Sequence, residues 1–483
     1  MSIGLRRSPL AVAQVLALLC ELVSLALAPP AIAQPGWQPR TAFERDIARA
    51  MERWDQPGLA VALVKDGQTA FAAGYGVRDV RTGAPVTPDT LFGIASCSKA
   101  FGSAVVAHLV DRGQLGWEDP VVRHLPWFAA RDPWVTGELR VRDLLSNRSG
   151  LRSDMVRESA PDRATYLRSI RHADPIHPFR AQFSYTNDMF TLSGELVSTL
   201  TGQRWDEVAR AALWSPLGMA RTNADHRAAR ADPDSAVPHV LVNGRQQPIA
   251  WIYEDHVAHP SGGVNSSAGD MAAWLRFQLG GGTVDGQTLI SATNFAQLHT
   301  AHTPLRGPFA DSEYTAVLGE GPMGVRDEAY ALGWYIHHYR GARVVWHSGA
   351  IDGFRCMVAM IPERGFGIAL LANGSTAQFA AGLAQTAIDH ELGIEGRDWI
   401  DSFWQRQVAR ETAEAAQRAA LLAERGPARR LSFAPAQLVG RYADEGRVGT
   451  VAVKQRGERL VLRMGGVAFD LDHWDADTFE ARI

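Results

Sequence analysis

The chain has 483 residues, of which 46% are hydrophobic and 21% are charged, and its formal net charge at pH 7 is −3. This composition indicates a globular chain long enough for more than one domain, and the near-neutral charge argues against a nucleic-acid partner. The basic residues are unevenly divided, because 46 are arginine and three are lysine, namely Lys65, Lys99 and Lys454. A position that keeps lysine in such a chain is a candidate for a role that arginine cannot fill.

The first 33 residues have the pattern of a secretory signal peptide. Two arginines precede an apolar stretch at residues 10–28, and the small-residue cleavage site Ala31-Ile32-Ala33 follows. Gln14 and Glu21 interrupt the apolar stretch, which argues against a permanent membrane span. We therefore predict a periplasmic or secreted protein with no integral membrane span once the signal is removed.

The first elements after the signal are a helix and a hairpin. Amphipathic spacing predicts a helix at residues 41–54. Apolar runs at 59–64 and 70–73 flank an Asp66-Gly67 pair, and an Asp-Gly pair between apolar runs is typical of a β-hairpin.

Lys99 stands three residues after Ser96. A desolvated lysine loses its proton readily and can act as a base, whereas arginine stays protonated. On a helix, positions i and i+3 share one face, with Cβ atoms about 5–6 Å apart. Apolar residues recur at helical spacing over 101–110, so we predict that Ser96 is a nucleophile at the start of a buried helix and that Lys99 activates it. The free amides of that helix end would favour an oxyanion.

The remainder of this region is predicted to be a helical insertion followed by strands. Helices are predicted at residues 141–146, 190–200, 205–213 and 271–279. Strands are predicted at 332–336, 343–346, 354–361 and 366–371, followed by a helix at 378–392. Strands at both ends of a helical insertion indicate one sheet assembled from the two ends of the domain.

The pattern changes after Gly393. Residues 403–425 are rich in Ala, Glu, Gln and Arg and end at Gly426-Pro427, which indicates a surface or bridging helix with Trp404 as a docking residue. Short strands are then predicted at 449–454, 459–464, 467–471 and 478–483. The predicted organisation is a signal peptide at 1–33, a main domain at 40–395, a linker helix at 401–430 and a small β domain at 431–483.

Two further motifs complete a recognisable set. Tyr185 and Asn187 lie two residues apart in one loop, and the strand at 343–346 leads into His347-Ser348-Gly349-Ala350. Together with Ser96 and Lys99, these motifs resemble the Ser-x-x-Lys, Tyr-x-Asn and Lys/His-x-Gly motifs of the β-lactamase and penicillin-binding-protein superfamily of serine hydrolases.

The resemblance covers about residues 43–392 and is strongest to the esterase and D-peptidase branch. Similar segments are found at 64–67, 74–76, 144–151, 260–263, 269–271 and 349–354. One departure is Asn147, where many relatives have histidine. The segment after about Ser432 resembles a small β domain that is often appended to such hydrolases.

The resemblance implies a fold and a set of roles. The fold is an α/β (α+β) β-lactamase-like one, with an antiparallel sheet built from both ends of the domain and a helical subdomain. Ser96 would be the nucleophile, and Lys99 with Tyr185 would handle its proton. The N–H groups of Ser96 and Ala350 would form the oxyanion hole beside Gly349. Asn187 would hold the substrate amide and Lys99.

His347 occupies the position at which β-lactamases usually carry lysine. A tyrosine acts as a base only where a nearby cation lowers its pKa, and Lys99 and His347 are the cations that the resemblance places beside Tyr185. Histidine at this position resembles family members that act on peptides, including D-amino-acid peptides, and on esters. The site residues predicted to be catalytic are therefore Ser96, Lys99, Tyr185 and His347.

We predict an exported serine hydrolase that forms an acyl-enzyme on Ser96 and uses no metal or organic cofactor. The first interpretation is a peptidase or amidase whose substrates are short or unusual peptides, either D-amino-acid-containing or linearised cyclic ones. A carboxylesterase is the alternative, and a β-lactamase comes after it. The non-enzyme alternative is a catalytically silent penicillin-binding-like sensor built on the same fold.

Two other groups of residues have side chains that can bind metals or form covalent bonds. Acidic and histidine residues outside the motifs are interpreted as solvated loop residues, because no His-Glu-x-x-His zinc pattern occurs; they are Glu254, Asp255, His256, His259, His299 and His302. Cys97 and Cys356 remain after signal removal, and the sequence does not decide between a disulfide and a free buried pair.

Overall fold

The computed structural model describes most of the chain after the predicted signal peptide. The described residues are 37–152, 160, 162–242, 244–251, 259–305, 314–319, 324–351, 353–425, 428–444, 449–464 and 467–482. The predicted signal peptide, Glu254-Asp255-His256 and the helix stop at Gly426-Pro427 lie outside these residues. Over the described ranges, no helix has the length and apolar character needed to cross a membrane.

The helices are numbered here in chain order over the described residues. They are α1 (Arg40–Arg53), α2 (Ser98–Asp111), α3 (Val121–His124), α4 (Pro133–Glu138), α5 (Val141–Leu145), α6 (Arg163–Arg168), α7 (Asn187–Thr201), α8 (Trp205–Ala209), α9 (His226–Ala231), α10 (His259–Gly262), α11 (Ala268–Leu279), α12 (Ala292–Leu298), α13 (Thr315–Leu318), α14 (Ala377–Leu392) and α15 (Trp399–Glu424). Short 3₁₀ turns cover Ala95–Cys97, Ser169–His172, Pro362–Arg364 and Pro435–Leu438, and a π-helical turn covers Arg210–Trp214.

The strands are numbered in the same way. They are β1 (Gly58–Lys65), β2 (Gln68–Asp79), β3 (Ala84–Pro85), β4 (Phe92–Gly93), β5 (His239–Val242), β6 (Arg245–Pro248), β7 (Asn265–Ser266), β8 (Thr283–Val284), β9 (Gln287–Thr288), β10 (Thr303–Pro304), β11 (Val325–Tyr330), β12 (Tyr335–Tyr339), β13 (Ala342–Ile351), β14 (Phe354–Ile361), β15 (Phe366–Ala372), β16 (Gly440–Asp444), β17 (Gly449–Arg456), β18 (Arg459–Met464), β19 (Val467–Asp475) and β20 (Thr478–Arg482).

The main sheet joins the two ends of the main domain. Among the described residues it has nine strands in the order β10-β11-β12-β13-β14-β15-β1-β2-β3, and neighbouring strands are antiparallel. β1 pairs with β15, with Leu59 opposite Ala372. The predicted architecture, a sheet from both ends around a helical insertion, is therefore confirmed.

Helices cover both faces of the central strands. All seven residues of β15 are buried, as expected for an apolar run that is covered on both sides. Phe366 contacts Trp37, close to the helix α14 residue His390, whereas a side chain at Gly367 would point at Leu275 of α11. Because neighbouring residues of a strand face opposite sides, α14 and α11 lie on opposite faces of the sheet.

The strand predicted at residues 332–336 is misplaced. Leu332 and Trp334 are buried, but they lie in the turn between β11 and β12. Gly333 has a φ of +78°, and a Cβ there would lie 2.8 Å from the carbonyl oxygen of Lys99. The apolar pattern correctly predicted that these residues are buried. It predicted the wrong secondary structure, because a buried turn packed against α2 has the same apolar composition as a strand. β11 has the sequence VRDEAY, and it was not predicted as a strand because three of its six residues are charged.

The C-terminal part forms a separate sheet. Strands β16 to β20 are neighbours in sequence order and antiparallel. Helix α15 connects the two sheets: Trp404 in its first half packs edge-to-face on Trp54 with ring centroids 5.0 Å apart, and Arg418 in its second half pairs with Glu480. The predicted small β module is thus present.

We predict that deleting the chain from Arg429 onward leaves the chemistry at Ser96 largely intact. The catalytic motifs all lie upstream, and the ion pair of Arg418 with Glu480 and the packing of Arg425 on Trp474 hold the module to the second half of α15. The measurement is the labelling rate with a small activated ester, together with the melting temperature. A truncated chain that no longer folds would show that the module belongs to the core of the main domain.

Candidate active site

Ser96 lies in a 3₁₀ turn, Ala95–Cys97, that leads directly into α2. The helix was expected to begin at Ser96, but it begins at Ser98, so Lys99 is in its first turn. Ala95 has a φ of +48°, a left-handed conformation that costs a non-glycine residue roughly 1–3 kcal/mol. This turn holds Ser96 at the edge of the cleft, while its neighbours Ala95 and Cys97 are buried.

Lys99 is fully buried, and its ammonium position is defined by oxygen atoms. Nζ lies 3.0 Å from Ser96 Oγ, 2.7 Å from Asn187 Oδ1 and 2.6 Å from the carbonyl oxygen of Ser261. The rings of Tyr185 and Phe190 lie 4.8 and 5.4 Å from Nζ. The structure therefore brings the predicted Ser96, Lys99 and Asn187 together.

Tyr185 is a second side chain in contact with the Ser96 hydroxyl. Its hydroxyl lies 2.8 Å from Ser96 Oγ. The residue just precedes Thr186, which caps α7 by accepting a hydrogen bond from the Asp188 N–H at 3.2 Å. Asn187 is the first residue of α7, so the cap places the Tyr185 and Asn187 side chains at the same helix end. The helix begins three residues earlier than the predicted Phe190.

The strand β13 passes close to the Ser96 turn at Gly349. A Cβ at this position would lie 2.2 Å from the carbonyl oxygen of Ile94, so only glycine allows the approach. β12 pairs with β13 only as far as Trp346, while β14 continues to pair to Ile351. Among the described residues, the segment from His347 to Ala350 thus has one unpaired edge, and Ala350 is exposed beside the cleft.

His347 lies beside Tyr185, with ring centroids 6.3 Å apart, and it is neutral. Its Nδ1 lies 2.6 Å from the carbonyl oxygen of Ser348, which can only accept, so Nδ1 carries the proton. Nε2 accepts from the Tyr330 hydroxyl at 3.0 Å. Burial and the charge of Lys99 lower the pKa of His347 to about 3, although the Ser348 carbonyl opposes this shift. Of the two cations expected near Tyr185, His347 therefore carries no charge.

Three residues of this arrangement were not identified from the sequence. Ser261 contributes a backbone carbonyl, a role that no side-chain pattern reveals, although its segment was among those that resembled the family. Tyr330 lies on β11, a strand that the pattern did not predict. Phe190 was assigned to a helix, but its place over Lys99 depends on how α7 crosses α2.

Among the remaining sequence candidates, the prediction of a solvated loop residue was wrong for His299, which is buried. His299 Nε2 is bonded to Gln278, and His302 Nε2 to the carbonyl of Gln297. Within the described part of the chain, no group of three potential metal ligands occurs. Cys97 and Cys356 are free, buried thiols, and Cys97 donates to the carbonyl of His347 at 3.3 Å. Burial, together with the neighbouring Cys97, raises the pKa of the Cys356 thiol.

We predict that the free energy of unfolding decreases as the pH falls below about 6.5, so that the loss is already large well above pH 4. His299, His337 and His347 are buried, and burial is the main cause that lowers each of their pKa values to about 3. An unfolded histidine titrates near 6.5, so below that pH the unfolded state binds more protons and stability falls. At pH 5 each histidine costs about 2 kcal/mol, or about 6 kcal/mol together. Urea midpoints at pH 7 and pH 5 measure this loss, and equal midpoints would contradict it.

The comparisons with known proteins agree with this geometry. The family model described as Beta-lactamase matches residues 43–391. The chain belongs to the beta-lactamase family. Within that family it is a serine hydrolase by its matched region and its relatives.

Two curated relatives illustrate the family resemblance. This beta-lactamase-family chain is 30% identical over 402 residues to the unguisins hydrolase ungD' of Aspergillus campestris (strain IBT 28561), covering 78% of this chain and 70% of that protein. It is 26% identical over 334 residues to Protein flp of Staphylococcus aureus (strain NCTC 8325 / PS 47). That match covers 68% of this chain and 61% of the relative.

Solved structures share the fold over nearly the whole chain. The octameric penicillin-binding protein homologue from Pyrococcus abyssi superposes with a TM-score of 0.64 at 22% identity, covering 89% of this chain and 90% of that chain. The structure of SurE has a TM-score of 0.59 at 22% identity, covering 92% and 91%. At this identity the likeness concerns the fold alone.

Proposed function

We propose that this chain is an exported hydrolase that cleaves amide bonds in short or unusual peptides, including D-amino-acid-containing or linearised cyclic ones, through an acyl-enzyme on Ser96. The observation that carries the proposal is the position of Ser96 Oγ between Lys99 Nζ at 3.0 Å and the Tyr185 hydroxyl at 2.8 Å. A nucleophile within reach of its base is the arrangement that covalent catalysis requires.

The partners of Lys99 support its role as the base. Asn187 Oδ1 and the Ser261 carbonyl can only accept, so each takes one N–H of the amine. Ser96 Oγ, the third oxygen in contact with Nζ, belongs to a hydroxyl and can donate as well as accept. In the free amine the lone pair is therefore directed at the Ser96 hydroxyl, and after proton transfer the ammonium donates back to the same oxygen.

The proposed reaction proceeds in two halves. Ser96 Oγ attacks the carbonyl carbon while its proton passes to Lys99, and the N–H groups of Ser96 and Ala350 stabilise the oxyanion. Tyr185 relays a proton to the leaving nitrogen as the C–N bond breaks and the acyl-enzyme forms. A water molecule then attacks the acyl group, gives its proton to the same base, and releases Ser96.

The neutral His347 supports peptides over β-lactams as substrates. A lysine at this position would present a positive charge to a substrate carboxylate, whereas His347 has both nitrogens engaged and a pKa lowered to about 3 by burial and Lys99. This part of the cleft thus favours a substrate with an uncharged group beside the scissile bond. A peptide amide or the interior of a peptide meets that requirement.

The test is a hydrolysis panel on the protein that begins at Gln34. It contains p-nitrophenyl esters, L- and D-amino-acid amides, nitrocefin, and one peptide prepared with either a carboxamide or a carboxylate beyond the scissile bond. We expect turnover of the amides, the weakest turnover with nitrocefin, and a kcat/KM for the carboxamide peptide at least equal to that for its carboxylate partner.

Each alternative function gives a different result in the same panel. Turnover of the esters alone would identify a carboxylesterase, for which Ser96 and Lys99 also suffice. Preferred turnover of nitrocefin would identify a β-lactamase. A stable adduct without turnover of any substrate would identify a silent sensor and overturn the proposal.

A further inference from the structure

Asn147 lies behind the active site, in the segment at 144–151 whose role the sequence left open. The residue is fully buried and has a φ of +50°. Asparagine tolerates this left-handed conformation better than most residues with a side chain. Its hydrogen bonds give a further reason for asparagine at this position.

Asn147 holds the backbone on both sides of Tyr185. The Ser184 N–H donates to the Asn147 carbonyl oxygen at 2.7 Å. The Thr186 N–H donates to Asn147 Oδ1 at 3.1 Å. One residue thus binds the amides that precede and follow Tyr185, the residue whose hydroxyl lies 2.8 Å from Ser96 Oγ.

The segment that carries Asn147 is itself anchored to rigid parts of the fold. Asp143 is fully buried and accepts hydrogen bonds from the guanidinium groups of Arg148 and Arg180. The Arg180 N–H donates to the Arg148 carbonyl at 2.8 Å, and Thr303 Oγ1 donates to the Ser146 carbonyl at 2.7 Å. Asn147 is therefore a fixed point against which the Tyr185 loop is positioned.

We propose that Asn147 is a positioning residue for catalysis, which acts by fixing the distance of the Tyr185 hydroxyl from Ser96. The inference rests on the proposed function, because it assigns Tyr185 a part in proton transfer. Catalytic groups must be held within about 0.5 Å of their working geometry, and a displacement of about 1 Å costs up to roughly 10²-fold in rate. Without the hydrogen bond from the Thr186 N–H to Asn147 Oδ1, the loop is held on only one side of Tyr185, and the Tyr185 hydroxyl can be displaced by such a distance.

Two variants separate the side chain of Asn147 from its backbone. Asn147→Gly suits the positive φ and keeps the carbonyl that binds Ser184, but it removes the oxygen that binds Thr186. Asn147→Asp has the same shape and keeps that oxygen. Asp66→Gly is the matched control, since Asp66 also has a positive φ, of 49°, and lies on an exposed turn.

The readouts are kcat and KM per active site, with the active fraction counted by a fluorophosphonate probe. We expect Asn147→Gly to lower kcat about 10- to 100-fold, with KM and the labelled fraction nearly unchanged. Asn147→Asp should recover kcat to within a few-fold of the parent, and Asp66→Gly should match the parent. A merely structural role would instead lower the labelled fraction and leave kcat per labelled site unchanged.

Further outcomes show whether the proposal fails. A kcat within two-fold of the parent in Asn147→Gly, at equal labelled fraction, overturns it. If Asn147→Gly does not fold, the test rests on Asn147→Asp. A parental kcat in that variant supports the role of Asn147 as a positioning residue, and a ten-fold loss of kcat at full labelling overturns it. Failure of the proposed function is seen separately, as a parent protein that forms no Ser96 adduct.

Discussion

Replacing Ser96 by alanine is expected to abolish turnover of every substrate while leaving the fold intact. The hydroxyl is the atom that forms the acyl-enzyme, and neither Lys99 nor Tyr185 can replace it as an acyl acceptor in this geometry. Alanine fits the 3₁₀ turn because the residue before Ser96 is already an alanine. Intact-mass spectrometry with a slow acylating substrate should show an adduct on the parent and none on the variant.

The matched control is Ser103→Ala, which removes a serine hydroxyl from α2, the helix that follows the Ser96 turn. Ser103 Oγ is buried and has no hydrogen-bond partner among the described residues, so its loss should leave stability and activity near those of the parent. Full activity in Ser96→Ala, or an adduct on a different residue, would refute Ser96 as the nucleophile.

Replacing Lys99 by arginine is expected to slow acylation by about 10²- to 10⁴-fold, the contribution usual for general-base assistance. Arginine keeps the positive charge beside Asn187 and the Ser261 carbonyl, but a guanidinium stays protonated at any working pH and has no lone pair to offer Ser96. The measurement is pre-steady-state acylation of both proteins by the same activated ester, with the melting temperature recorded for each.

Lys65→Arg is the matched control for this substitution. Lys65 Nζ donates to the carbonyl of Arg364 at 2.6 Å and pairs with Glu391 at 3.1 Å, and a guanidinium can make both contacts. We expect parental acylation in this variant. If Lys99→Arg also acylates within a few-fold of the parent, Lys99 serves only as a fixed charge and the proton transfer belongs to Tyr185.

The pattern of residues along the chain was sufficient to predict the architecture. Apolar runs bounded by turn residues placed β14 and β15, and the Asp66-Gly67 pair placed the hairpin of β1 and β2. These predictions succeeded because hydrophobic periodicity and turn chemistry are local properties. The prediction failed at Gly333, where a buried turn has the same apolar composition as a strand. The positive φ of Gly333 and its close contact with the Lys99 carbonyl explain the glycine, and both arise only in the folded chain.

In the active site, too, some features could be predicted from the sequence and others depend on the fold. The chemistry of a nucleophile and its base identified Ser96 and Lys99 as candidates, and the resemblance to the family added Tyr185 and Asn187. The protonation state of His347 depends on Tyr330 from a neighbouring strand and on burial, both of which arise only when the sheet is assembled.

The sequence by itself therefore identified the candidate reactive groups and the assembly of one sheet from both ends of the domain. Only the tertiary structure decided how those groups are held: the Ser261 carbonyl on Lys99, the neutral ring of His347 and the two hydrogen bonds from the Tyr185 loop to Asn147. The physical reason is that these features depend on backbone atoms of other segments and on burial in the folded chain. Backbone contacts and burial of this kind leave no pattern in the order of the amino acids.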